Sequence, residues 1–189
     1  EIYTLSLHDA LPIWFSKIKI PRWMIVISTS MSATINLFLS LIVVAIFMVI
    51  NGVSFSIYGV GMLMVYIGIA YLFGLGLSFL LSALYVKFRD VSYIWEVILQ
   101  AGFYATPIIY PLQMITNPFL EKILLLNPMA LIIQGARHDL INPIQTISFT
   151  TAWSTHPLMA LVPMTIIVAI LIVGGLYFKN QAKYFAENI

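Results

Sequence analysis

Apolar residues run through this chain in four long stretches, separated by short polar punctuation. The first covers residues 24–50 and follows Pro21 and Arg22. Proline suits the start of a helix, where a backbone donor has no partner anyway. Asn51-Gly52 then reads as a turn. The second stretch covers residues 57–86. The third starts after Asp90, and Pro107 and Pro111 interrupt it; it spans a membrane only if residues 108–110 continue it. The fourth covers residues 157–178. A spanning helix needs about 20 apolar residues at 1.5 Å rise each. The pattern therefore predicts an all-α integral membrane protein with four transmembrane helices, over about 24–50, 57–86, 91–110 and 157–178.

The segment 112–156 breaks this rhythm with three Asn-Pro pairs: Asn117-Pro118, Asn127-Pro128 and Asn142-Pro143. Asn at the N-cap followed by Pro at the first helical position is a helix-start signal. Two short helices are expected, over about 118–126 and 128–141. At roughly 14 and 21 Å they are too short to cross a core about 30 Å thick. Both are largely apolar, so they either re-enter the outer leaflet against protein or lie flat at the interface.

Composition agrees with lipid as the solvent. The 189 residues are 61% hydrophobic and 8% charged, with mean hydropathy +1.01, where a soluble domain carries about 25% charged residues. There is no cysteine, which excludes disulfides and thiolate metal sites, and no metal site is expected. The net charge of +2 implies no nucleic-acid partner. Charge placement is more informative than its sum. Lys17, Lys19 and Arg22 precede the first helix, Lys87 and Arg89 lie between the second and third, and Lys179 and Lys183 follow the fourth. Only Lys122 and Arg137 fall in the other loops, so seven of the nine basic residues share one side. Basic residues stay in the cytoplasm, which puts both termini inside.

Candidate chemistry is sparse. No Gly-x-x-x-x-Gly-Lys-Ser/Thr loop or His-Glu-x-x-His motif is present, so the chain has no ATP-binding or catalytic motif of its own and is read as no enzyme. His8, His138 and His156 are scattered, and Arg137-His138-Asp139 reads as a solvated helix end. Ala70, Gly74, Ser78 and Ser82 recur every four residues on the second helix; such a stripe lets backbones approach closely in lipid. Ser92, Glu96, Gln100 and Tyr104 form a polar ladder on the third. A carboxylate facing acyl chains is costly, so Glu96 either lines a solvated path with Gln100 and Tyr104 or sits at headgroup depth near the positive helix N-terminus. Phe103, Tyr104 and Tyr110 cluster near the outer end of that helix, while Trp14, Trp23, Trp95 and Trp153 fall near predicted interfaces; an aromatic belt accounts for the tryptophans, and stacking on sugar rings is the alternative reading of such aromatics. The stretches 17–22 and 86–91 mix charged and apolar residues. They are either cytoplasmic anchors alone or docking points for a cytoplasmic partner. Residues 1–13 fit poorly with the rest of the chain and read as a non-native, adapter-derived segment, or else a short amphipathic surface segment; the first reading leaves residues 14–189 as the C-terminal part of one transmembrane domain.

A set of ordered motifs carries a resemblance over residues 16–189. Leu81-Ser-Ala-Leu-Tyr-Val-Lys-Phe-Arg-Asp-Val-Ser-Tyr-Ile94, Thr106-Pro-Ile-Ile-Tyr-Pro111, Leu126-Asn-Pro-Met-Ala130 and Ile133-Gln-Gly-Ala-Arg137 follow one another, after Lys17-Ile-Lys-Ile-Pro-Arg22. Together they resemble the ABC-2 type permeases that export O-antigen, capsule and teichoic-acid polysaccharides. The resemblance implies a bacterial plasma (inner) membrane protein with six helices in a full subunit, of which this chain would hold the last four. It implies a homodimer with the path between subunits, surrounded by membrane lipid. It also implies a separate ABC ATP-binding subunit that uses the ATP, with no cofactor bound here. By position, Lys17, Lys19, Arg22, Lys87, Arg89 and Asp90 would dock that ATPase. Asn117, Pro118, Asn127 and Pro128 would open two exterior gate helices, and Glu96, Gln100, Tyr104 and Tyr110 would line the path. The cargo would be a polysaccharide or lipid-linked glycan. A drug or a small lipid is the alternative within the same family.

Overall fold

A computed structural model describes residues 22–53, 56–108, 110, 112–141 and 161–181, and all the regular structure among them is helical. Six α-helices follow in order: α1 (Arg22–Ile50), α2 (Ile57–Lys87), α3 (Val91–Ala105), α4 (Pro118–Leu125), α5 (Pro128–Leu140) and α6 (Leu161–Gln181), with a 3₁₀ turn at Leu112–Met114 between α3 and α4. Three of them, α1 from Trp23 onward, α2 and α6, are long and apolar enough to cross a membrane. The α4–α5 pair is bent by 98° at its break and makes a fourth only if both pieces count as one span. Helix α3 has 15 residues, about 22 Å, and stops well before Tyr110. The reason is local. A residue before proline is pushed out of the helical region, and Thr106 sits at φ −102°, ψ 131° ahead of Pro107.

The ends of the helices follow from their residues. Helix α1 closes in a Schellman motif: Gly52 takes φ +68°, its N–H donates to Val49 (3.0 Å), and the Val53 N–H donates to Met48 (3.0 Å). Asn51 donates its side-chain amide to Phe47 as well (2.7 Å). Asn117 and Asn127 cap α4 and α5 by accepting from the N–H groups of Phe119 (2.9 Å) and Met129 (3.0 Å), with proline next in each case. Along α1 the hydroxyls of Ser30, Ser32, Thr34 and Ser40 donate to carbonyls four residues back, so these polar groups are satisfied within the helix.

Helix α2 is the hub, packing against α6 most extensively, then α5, then α1. Glycines set the closest approaches. A Cβ on Gly76 would come within 2.8 Å of the Leu171 backbone, and one on Gly174 would collide with the Gly76 carbonyl. Further along, buried Ala83 and Phe178 pack together with Val26, and the Phe79 and Phe178 rings lie 5.1 Å apart. Gly76 meets Gly174 and Ala83 meets Phe178, so α2 and α6 run parallel. Val26, near the start of α1, reaches the same cluster, so α1 runs antiparallel to both. The start of α1 and the ends of α2 and α6 therefore share one end of the bundle, which also carries Lys87, Arg89 and Lys179. Helix α5 lies alongside the opposite part of α2. Gly59 abuts the Asp139 backbone and Gly135 lies under the Tyr66 ring, so α5 runs antiparallel to α2. The outward faces stay apolar: no residue in the most apolar stretch of α1 is buried, and Ile46, Phe47 and Val49 are all exposed.

This packing separates two glycines by their surroundings. Gly76→Ala should destabilise the α2–α6 pair by about 1–3 kcal/mol through overpacking. Gly74→Ala, which meets nothing within 4 Å, should be neutral or stabilising by up to about 1 kcal/mol through helix propensity. Thermal unfolding of the two variants in detergent, followed by circular dichroism, checks the opposite signs.

Candidate functional site

The break after α3 leaves backbone carbonyls without helical partners, and α5 supplies side chains to meet them. Thr106 hands its hydroxyl proton to the Gly102 carbonyl (2.7 Å) and accepts from the Asn127 amide (2.9 Å). Asn127 thus both caps α5 and grips the end of α3. Gln134 and Arg137, three residues apart on one face of α5, reach the same turn. Gln134 lies 3.4 Å from the Pro107 carbonyl, while the Arg137 guanidinium donates to Pro107 (2.8 Å) and to Ile108. Thr106, Pro107 and Gln134 are buried. A guanidinium fork suits this task, because it donates along fixed directions to two acceptors at once.

Two parts of the chain therefore converge on one clasp: Thr106-Pro107 after α3, and Asn127-Pro128, Gln134 and Arg137 along α5. The Asn127 and Pro128 start signal is one of its parts, whereas Asn117 and Pro118 open α4 outside it. Arg137-His138-Asp139, expected as a solvated helix end, is half-buried. Its Arg faces the turn, and its Asp accepts from the Tyr66 hydroxyl of α2 (2.8 Å) while pairing with His138 (3.0 Å). Sequence reasoning missed Thr106, Gln134, Arg137, Tyr66 and Asp139. The available signal was the polar pair Gln134 and Arg137, three apart after the apolar first half of α5.

The remaining candidates are dispersed. Glu96, Gln100 and Tyr104 lie on an exposed face of α3, which has no buried residue. Tyr110 is half-buried and donates to the Tyr104 carbonyl (3.0 Å), which ties the end of this ladder back over the break. Lys87, Arg89 and Asp90 are exposed around the α2–α3 turn, with the Lys87 ammonium 5.3 Å from the centre of the Phe88 ring. Arg22 opens α1 at the same end, while Lys17 and Lys19 lie outside the described residues. Ala70, Gly74 and Ser78 line a cleft of about 260 Å³ against Ser30, Ala33 and Thr34 of α1. Ser82 borders a second cleft, between α2 and α3, beside Trp95. The close glycine approaches on α2 are instead at Gly59 and Gly76.

Comparison with known proteins places these features in a family context. The family model described as ABC-2 type transporter matches residues 14–141, from before α1 to the end of α5, the clasp included. The O-antigen export system permease protein RfbA of Myxococcus xanthus is 32% identical over 119 residues, which is 62% of this chain and 42% of that protein. The chain thus spans less than half the length of this curated relative.

Replacing Arg137 removes donors from two carbonyls, one of them on the buried Pro107. Arg137→Met should destabilise the turn at 106–108 by about 2–4 kcal/mol, since a hydrogen bond to a charged group contributes about 1.5–3 and unsatisfied acceptors add to the loss. Asn127→Ala should cost about 1–2 kcal/mol through its cap and its grip on Thr106. Amide hydrogen exchange of the peptide covering 102–110, measured in micelles, should speed up in both, more so for Arg137→Met.

Proposed function

We propose that this chain, which belongs to the ABC-2 type transporter family, is the membrane-spanning part of an exporter that moves polysaccharide or lipid-linked glycan out of the cytoplasm. The likeness to the O-antigen permease carries the substrate class. ATP is hydrolysed on a separate ABC subunit. Two copies of the permease enclose the path in the bacterial inner membrane.

The bundle supports an orientation for this reading. Its Arg22, Lys87, Arg89 and Lys179 end is the cytoplasmic one by the positive-inside rule, and both termini lie on that side. The ATPase docks there on the segment Lys17 to Arg22 and on the turn of Lys87, Arg89 and Asp90. Helix α5 runs beside α2 from Tyr66 to Gly59, seven residues or about 10 Å of helix. That depth favours a re-entrant hairpin over a pair lying flat. The clasp fits the same picture, because non-helical backbone is tolerated at membrane depth only where protein satisfies it. The α4–α5 hairpin then forms an exterior gate, and the face of Glu96, Gln100 and Tyr104, leading to Tyr110, borders a partly polar path suited to a glycan.

Three measurements test this reading. A complete subunit carrying residues 14–189, produced with its ATPase in a strain lacking its own O-antigen permease, should restore surface polysaccharide. Drug resistance without surface glycan would assign the alternative cargo. Charge reversal at the turn, Arg89→Glu with Asp90→Lys, should leave insertion intact and reduce export at least tenfold while ATP hydrolysis continues; unchanged export would remove the docking assignment. Because the chain has no cysteine, Lys122→Cys and Lys183→Cys give clean reporters that should label from opposite sides of the membrane. Labelling from one side would overturn the topology.

A further inference from the structure

The basic end of the bundle holds a cleft that the export reading leaves unused. It lies between the last turns of α2 and the first turns of α3, has a volume of about 330 Å³, and is lined by Leu81, Ser82, Tyr85, Val86, Ser92 and Trp95 among others. Its wall is mostly apolar, and its polar groups are donors short of acceptors. The Ser82 hydroxyl and the Trp95 indole N–H have no hydrogen-bond partner among the described residues, and both residues are half-buried. The hydroxyls of α1 behave differently: Ser30, Thr34 and Ser40 each donate to a carbonyl four residues back. Ser92 reaches only the Arg89 carbonyl, at a long 3.4 Å. Depth adds a second constraint. Ser82 lies five residues before the end of α2 at Lys87, and Trp95 four residues after the start of α3 at Val91. Both are thus about 6–8 Å of helix away from the charged turn, and a headgroup layer is about 5–8 Å thick. Donors at that depth face the ester carbonyls of a glycerophospholipid. Lys87 and Arg89 stand at the level of its phosphate; both are exposed, and with Asp90 the turn keeps a net positive charge. Tyr85 and Trp95 supply the amphipathic rings that favour this boundary.

We propose that this cleft binds one acidic phospholipid of the cytoplasmic leaflet. Its phosphate sits beside Lys87 and Arg89, its ester carbonyls accept from Ser82 and Trp95, and its acyl chains continue along the apolar wall toward the bilayer core. The cations select an acidic headgroup over a zwitterionic one, because a basic residue near the membrane surface attracts anionic lipid. Helix α3 has no buried residue, so a lipid wedged here braces its first turns against α2. The charged turn then serves two partners, the lipid on its membrane side and the ATPase on its aqueous side. The choice of leaflet rests on the orientation proposed above; the ligand class does not depend on the cargo.

The test uses the complete subunit with its ATPase in nanodiscs of phosphatidylcholine. These are doped with phosphatidylglycerol or with phosphatidylcholine carrying a diazirine near the top of one acyl chain. Irradiation and peptide mapping should place adducts on residues 81–95, about fivefold more for the phosphatidylglycerol probe, the attraction of one net positive charge. Lys87→Gln with Arg89→Gln should erase that preference. Ser82→Ala and Trp95→Phe, which remove one donor each and keep the fold, should each lower the adduct about fivefold, the size of one hydrogen bond. Equal adducts from the two probes, a preference that survives loss of both cations, or adducts unmoved by both donor variants would each overturn the site. Two other occupants have their own signatures. Displacement of the adduct by a polyprenyl diphosphate, and not by unlabelled phosphatidylglycerol, would give the cleft to a lipid-linked cargo. A Ser82→Cys thiol that cross-links to protein and takes no lipid probe would give it to a neighbouring helix. Either result overturns the phospholipid assignment. No arm reads transport, so failure of the glycan reading leaves the site standing, and labelling of Lys122→Cys and Lys183→Cys reports on the orientation separately.

Discussion

A backbone placed in lipid must satisfy its own hydrogen bonds, because no water stands ready to take them. Much of the described architecture answers this constraint. The hydroxyls of α1 fold back onto its own carbonyls, and its end closes on itself through Gly52. Where Pro107 ends α3 early, the freed carbonyls are met by Arg137 and Gln134, while Asn127 joins the turn to the first turn of α5. A hydrophobic driving force between helices is absent in lipid, so association depends on close packing and such polar links. The glycines at 59, 76, 135 and 174 supply the first and the clasp supplies the second.

These contacts organise the bundle around α2. Its central and C-terminal parts are welded to α6 through Gly76, Gly174, Ala83 and Phe178. Its N-terminal part meets α5 through Gly59 and Tyr66. The charged turn of Lys87, Arg89 and Asp90 joins the end of α2 to the start of α3, and both of these helices reach α5 at their far ends: α2 through Tyr66 and Gly59, α3 through the clasp.

Much of this was legible in the residues. Apolar runs placed α1, α2 and α6 to within a few residues, because a stretch of 20 or more apolar residues has few other solutions. Asn-Pro pairs marked the starts of α4 and α5, because capping is a local interaction between a side chain and an N–H two residues on. The likeness of the motifs to ABC-2 permeases was also readable, and the family match places the chain among them.

Other features lay beyond any local pattern. The ladder of Ala70, Gly74, Ser78 and Ser82 looked like the natural contact stripe of α2, yet close glycine approaches are made at Gly59 and Gly76, because which face of a small-residue-rich helix is used depends on its neighbours. Arg137 read as a charge bound for water until the fold brought it, about 30 residues away in sequence, to two carbonyls released by Pro107. By itself the sequence determined the solvent, the long helices, the caps and the end of the bundle that carries the basic charge, since each depends on neighbours within a few turns. The tertiary structure alone decided which glycines touch, which polar side chains mend the broken backbone and where α5 meets α2, since those pairings join residues that only folding makes adjacent.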